Sequence, residues 1–180
     1  MTSPSFDDPL VMWLAAAWLA VLFAHAAVAK LADRPLFEQH IAAYHVPFGL
    51  LPLAVWAVPL AELAAAALLL SPWRSLGALL AAGLLLTYAG AMAVHKLQGR
   101  ALDCGCGGEP LPVSWALVGR NVALALLAPM AAGSGAVAEA RALGLGDFAV
   151  VAASLPVAAL LYAAFNQLLR HQVGERMRRI

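Results

Sequence analysis

Five long apolar runs dictate what this chain can become: residues 10–29, 48–70, 76–94, 115–132 and 148–169. About twenty apolar residues in a helix cross the hydrocarbon of a bilayer. Backbone groups in lipid must pair within the protein, so spanning segments are helices or closed barrels. Continuous apolar runs, rather than alternation, select helices. A chain that is 63% hydrophobic and 12% charged could not cover a water-facing surface. The expectation is an all-α, polytopic transmembrane helix bundle, one domain over residues 1–180. Its core is four helices within residues 10–132, joined by a fifth C-terminal span at 148–169 and a basic tail at 170–180. Asn166 and Gln167 make the end of the fifth span its most polar part. The first nine residues carry Asp7 and Asp8 but no Lys or Arg, and the first run is long enough to stay as a span, so no cleavable signal is expected. A formal charge of +1 excludes a nucleic-acid-binding patch.

Alanine recurs in every span, as close packing between membrane helices favours. Two connections are more than turns. In residues 30–47, Leu36, Phe37, His40, Ile41 and Tyr44 fall at three- and four-residue spacing, which predicts a short amphipathic helix at the interface after the first span. Residues 95–114 are rich in Gly and Pro, which exclude regular helix, and contain both cysteines. With five spans, these two connections and the C-terminal tail share one face. That face holds Lys30, Arg34, Lys96, Arg100 and the tail arginines, against Arg74 and Arg141 opposite. The positive-inside rule therefore puts the cysteine loop in the cytoplasm.

The chemistry centres on Cys104-Gly105-Cys106. A disulfide across one residue closes a small, strained ring, and strained disulfides are the labile, exchanging kind. Glycine between and after the cysteines relaxes the backbone. A thiol pair that cycles is one reading, and a pair of inert loop thiols is the other. Two thiolates could also hold a soft metal such as Cu(I), or half of a zinc site with His95 nearby.

Polar residues inside spans are costly and point inward. Helical rise places His25 and Arg120 at similar depth near the cysteine face, with Asn121 beside Arg120. Beneath the cysteines, Arg120 would favour the reactive thiolate. His25 would relay a proton or hydrogen-bond a quinone-like acceptor. Alternatively, Arg120 reaches the interface and His25 is a packed polar group. Glu62 lies roughly 12 Å of rise away, toward the opposite face, so a straight-helix count disfavours a Glu62–Arg120 bridge. Its expected partners are Tyr88 or backbone, and Pro59 could bend its helix.

These residues resemble the MauE family, methylamine-utilisation membrane proteins of the DoxX-like superfamily. The likeness runs through His25 and Lys30, then Phe37, Ile41, Tyr44 and Pro47, then Pro59 and Glu62, then Gly99-Arg100, Asp103-Cys104-Gly105-Cys106-Gly107 and Arg120-Asn121. The resemblance implies a four-helix DoxX-like core in the bacterial cytoplasmic membrane. It also implies a role in maturing the disulfide-rich small subunit of methylamine dehydrogenase, with a thioredoxin-like partner of the MauD type. Its catalytic residues would be Cys104, Cys106, Arg120 and His25, supported by Glu62, Arg100, Asp103, Asn121 and Lys30. The function expected is thus that of a membrane thiol–disulfide redox protein acting on an exported client. A soft-metal or small-solute transporter and a non-catalytic assembly factor are the alternatives. The implied partner is periplasmic, whereas the loop charges favour the cytoplasm, and both placements stand at this point.

Overall fold

The computed structural model describes residues 8–99, 113–132 and 144–177, with side chains up to residue 169. Six α-helices are formed: α1 (Pro9–Ala32), α2 (Arg34–Ala43), α3 (Leu51–Leu69), α4 (Arg74–Leu97), α5 (Trp115–Ala132) and α6 (Leu145–Met177). The described residues contain no strand. Five of the helical segments are long and apolar enough to span a membrane, with a short 3-10 turn at Phe48–Leu50 completing the second. The all-α polytopic bundle expected from the sequence is therefore the fold.

The helix ends follow local chemistry. Asp8 caps α1 by accepting a hydrogen bond from the Leu10 amide at 2.9 Å, with Pro9 in the first turn. Asp33 serves two helices. Its amide donates to the Ala29 carbonyl, closing α1, and its carboxylate accepts from the Leu36 amide at 3.1 Å, opening α2. Gly99, at φ +72°, lies in the left-handed region just past α4, where its amide donates to the Lys96 carbonyl.

α1, α3, α4 and α5 close a ring: α1 on α3, α3 on α4, α4 on α5, and α5 back on α1. Small residues let the helices approach. Ala16, Ala65, Ala81 and Ala131 are fully buried around Leu19, Phe23, Leu69 and Leu85. α6 lies outside this ring and runs alongside α1. Trp13 meets Phe148 edge-to-face, and Trp18 Nε1 donates to Ser154 Oγ at 2.9 Å. The four-helix core with an added fifth span is thus realised. The helix of that span continues to Met177, however, through the first part of the expected basic tail. The first and third spans extend outward by a turn or less: α1 carries Lys30 inside it, and α4 carries His95 and Lys96 in its last turn. Pro59 is accommodated within a continuous α3.

The predicted amphipathic helix is α2. Its buried residues, Phe37 and Ile41, pack on Leu51 and Val55 at the start of α3. At the opposite end, the α3–α4 turn is tight. Ser71 Oγ donates to the Leu68 carbonyl at 2.8 Å and accepts from the Trp73 amide. Gly77 faces this turn, and a Cβ there would lie 2.6 Å from the Leu69 amide nitrogen and 2.8 Å from the Leu68 carbonyl carbon. Backbone cannot retreat as a side chain can. Gly77→Ala should therefore cost about 1–3 kcal/mol through overpacking. Gly83→Ala, where a Cβ meets nothing within 4 Å, should be neutral or slightly stabilising. Thermal unfolding of both variants in detergent checks this, and an unchanged midpoint for Gly77→Ala would refute the close approach.

Candidate functional site

The buried polar groups gather on the inner faces of α1, α3, α4 and α5. Lys30 faces inward one turn after Ala26 and Ala27 and two turns after Phe23, all of them buried. Across the ring, Glu62 is completely buried on α3. Lys30 Nζ donates to Glu62 Oε1 at 2.7 Å and to Oε2 at 3.0 Å. Tyr88 of α4 donates its hydroxyl to Glu62 Oε1 at 2.8 Å. The ammonium also lies 5.6 Å from the Phe37 ring centre and 5.7 Å from that of Tyr88, within cation–π range. A charge left alone in such surroundings is prohibitive, and this pair is held by two charged hydrogen bonds and a phenol.

Tyr88 was expected as a Glu62 partner from the sequence, but Lys30 was not. Lys30 had been counted among the charges of the loop face. Its burial and pairing remove it from that count, which leaves Arg34, Lys96, Arg170 and Arg176 as the Lys and Arg residues on the described part of that face.

Arg120 and Asn121 occupy α5 at the edge of the same group. Asn121 is buried and donates its side-chain N–H to the Leu117 carbonyl at 2.9 Å. Arg120 reaches toward α6, donating from Nη1 to Asn166 Oδ1 at 2.8 Å, with its guanidinium 5.1 Å from the Tyr162 ring centre. Arg120 Nε is buried and has no partner among the described residues. Arg120, Asn121, Glu62, Lys30 and Tyr88 line one small cavity of about 30 Å³, enough for one or two waters. Arg120 and Glu62 thus share a cavity while each bonds other partners, in keeping with the disfavoured direct bridge. His25 does not join them. It is exposed on α1 and does not line this cavity.

A larger cavity, of about 190 Å³, lies on the other side of Lys30 and Tyr88. α2 contributes Phe37, His40 and Ile41, and the α2–α3 connection contributes Tyr44 and Val46. Ala54 and Val58 come from α3, and Ala91 and Met92 from α4. His95, at the end of α4, closes this end of the bundle. Its ring meets Tyr44 edge-to-face at 4.8 Å and stacks with His45 at 6.0 Å. His95 Nδ1 lies 2.9 Å from the Ala91 carbonyl, an acceptor, so that nitrogen is the donor of this bond. No sequence signal marked this cavity beyond the amphipathic spacing that placed Phe37 and Ile41 inward.

The connection that bears Arg100, Asp103, Cys104 and Cys106 lies outside the described residues. Its flanks are fixed: α4 ends at Leu97, two residues past His95, whose ring meets Tyr44, and Val113 and Leu117 pack with Met92 where the described chain resumes. The cysteine segment therefore departs from and returns to the end of the bundle that carries α2 and the larger cavity. Among the described residues, no group of three or more His, Cys, Asp or Glu side chains could hold a metal ion.

Comparison with known proteins adds a family. Residues 8–138 match the family model described as methylamine utilisation protein MauE. A methylamine utilization protein MauE of Paracoccus versutus is 39% identical over 168 residues, covering 90% of this chain and 89% of that protein. Its counterpart in Paracoccus denitrificans is 40% identical over 126 residues, 67% of this chain and 68% of that one. That of Methylophilus methylotrophus is 37% identical over 112 residues, 60% and 58% respectively. No solved structure matches.

Proposed function

The chain belongs to the MauE family of methylamine utilisation proteins, and from that premise we propose that this multi-pass membrane protein is a thiol–disulfide redox protein that supports maturation of an exported, disulfide-containing client. Cys104 and Cys106 exchange with a thioredoxin-like partner through a mixed disulfide, in which a thiolate attacks a disulfide sulfur, a new S–S bond forms as the old one breaks, and the other sulfur leaves as a thiolate. The resident membrane is the bacterial cytoplasmic one, where exported clients acquire their disulfides. The observation that carries the reading is the pairing of the chain's only two cysteines across a single glycine, in a connection anchored at one end of a bundle with an ionic interior. Intramembrane ionisable groups are expensive and mark function more often than support. Arg120 stands at the edge of that interior as a positioning residue.

Labelling of intact cells with a membrane-impermeant thiol reagent, with and without prior reduction, tests the proposal. The expected result is little labelling before reduction and strong labelling of Cys104 and Cys106 after it, on the periplasmic side where the partner acts. Equal labelling with and without reduction would remove the disulfide from the resting protein, and the proposal with it.

A further inference from the structure

We propose that the cavity bounded by α2, α3 and α4 binds the ring of a membrane quinone. The walls are apolar, formed by Phe37, Ile41, Ala54, Val58 and Met92. At about 190 Å³ the cavity exceeds the roughly 150 Å³ that accommodates benzene in an engineered apolar site. A substituted six-membered ring fits this space.

The polar end narrows the chemistry. Glu62 takes two of the three N–H groups of Lys30, and the third has no hydrogen-bond partner among the described residues. The ammonium lies 5.6 Å from the Phe37 ring that walls the cavity, and Lys30 lines both this cavity and the smaller one beside it. Because Glu62 balances Lys30, the site is electrically neutral overall. A carboxylate or phosphate gains no net charge there, whereas a neutral ring with an accepting carbonyl oxygen gains a charge-assisted hydrogen bond. Tyr88 and His40 also line the cavity, and either could meet the hydroxyl of the reduced form. α3 and α4, which form one side of the cavity, are membrane spans, and Ala54, Val58 and Ala91 are only half-buried. Access is therefore from the bilayer, which selects a lipid-soluble ligand.

This inference rests on the redox reading for its role. When two thiols close to a disulfide, two S–H bonds break and one S–S bond forms. The two electrons and two protons released convert a quinone to its quinol.

The test is calorimetric titration of decylubiquinone into the full chain in phosphatidylcholine nanodiscs. Saturable one-to-one binding is expected. Ala54→Phe and Val58→Phe, which fill the cavity, should each weaken it at least tenfold, and either suffices if the other fails to fold. Val94→Phe, at an exposed position on α4, and Cys104→Ser/Cys106→Ser should bind as the natural chain does. Absence of saturable binding to the natural chain, or undiminished binding in the filled variants, overturns the site. The two proposals fail separately. Decylubiquinone bound by a protein whose cysteines never form a disulfide would sink the thiol reading alone, and a cycling disulfide with no decylubiquinone bound would sink the quinone site alone.

Discussion

Glu62→Leu should destabilise the bundle by about 3–5 kcal/mol, because it leaves the Lys30 ammonium buried without its counter-charge. Lys30 is only 5% exposed, and among the described residues its two hydrogen bonds both go to Glu62. The substitution thus removes every strong partner at once. Lys30→Met should be milder, since the Tyr88 hydroxyl still donates to Glu62 at Oε1. The informative variant is the double one. Lys30→Met/Glu62→Leu replaces the pair with apolar groups of similar volume and should recover most of the loss, as buried ion pairs replaced together often do. Denaturant or thermal unfolding in detergent, together with the amount of protein accumulating in the membrane, reads all three. A double variant as unstable as Glu62→Leu would show that the two charges are not coupled. Recovery would show that the pair is kept for something other than stability, as the neutral polar end of a binding cavity requires.

The spans were legible because a bilayer leaves few alternatives. A continuous apolar run must be a helix, and Trp115–Ala132 matches its expected limits at both ends. Limits were missed where polar residues continued a helix beyond the apolar run. α1 carries Lys30 inside it, and α6 runs on to Met177. The Lys30–Glu62 pair was missed for a related reason. Counting rise along straight, evenly seated helices put Glu62 toward the opposite face. In the structure, the long, flexible lysine stem carries the Lys30 ammonium to the Glu62 carboxylate. Depth alone also misplaced His25. Five residues before Lys30, it is rotated about 140° around the helix from that inward-facing residue, and it emerges on the exposed side. The pattern that did point inward, Phe23, Ala26, Ala27 and Lys30, has the three- and four-residue spacing of a helical face and was available in the sequence. Arg120 and Asn121 are adjacent yet part company. Asn121 turns to the core and bonds its own helix, while Arg120 turns to α6 and Asn166. The expected weak end of the fifth span thus supplies the side chain that engages the arginine.

Cys104→Ser/Cys106→Ser is expected to abolish client maturation while leaving the bundle intact. Among the described residues, the packing that closes the ring is made by α1, α3, α4 and α5. The double variant should therefore accumulate and unfold like the natural chain. Recovery of the oxidised, exported client should fall at least tenfold, because serine oxygens cannot form the mixed disulfide. The single variants carry more information. With one thiol left, attack on a partner disulfide still occurs but resolution by the neighbouring sulfur does not. A covalent adduct should then accumulate, visible on a non-reducing gel and dissolved by reductant. An assembly factor that merely docks its partner through this loop would tolerate all three substitutions, and a soft-metal carrier would lose metal binding without forming any adduct. Full client maturation in the double variant would remove sulfur chemistry from the function altogether.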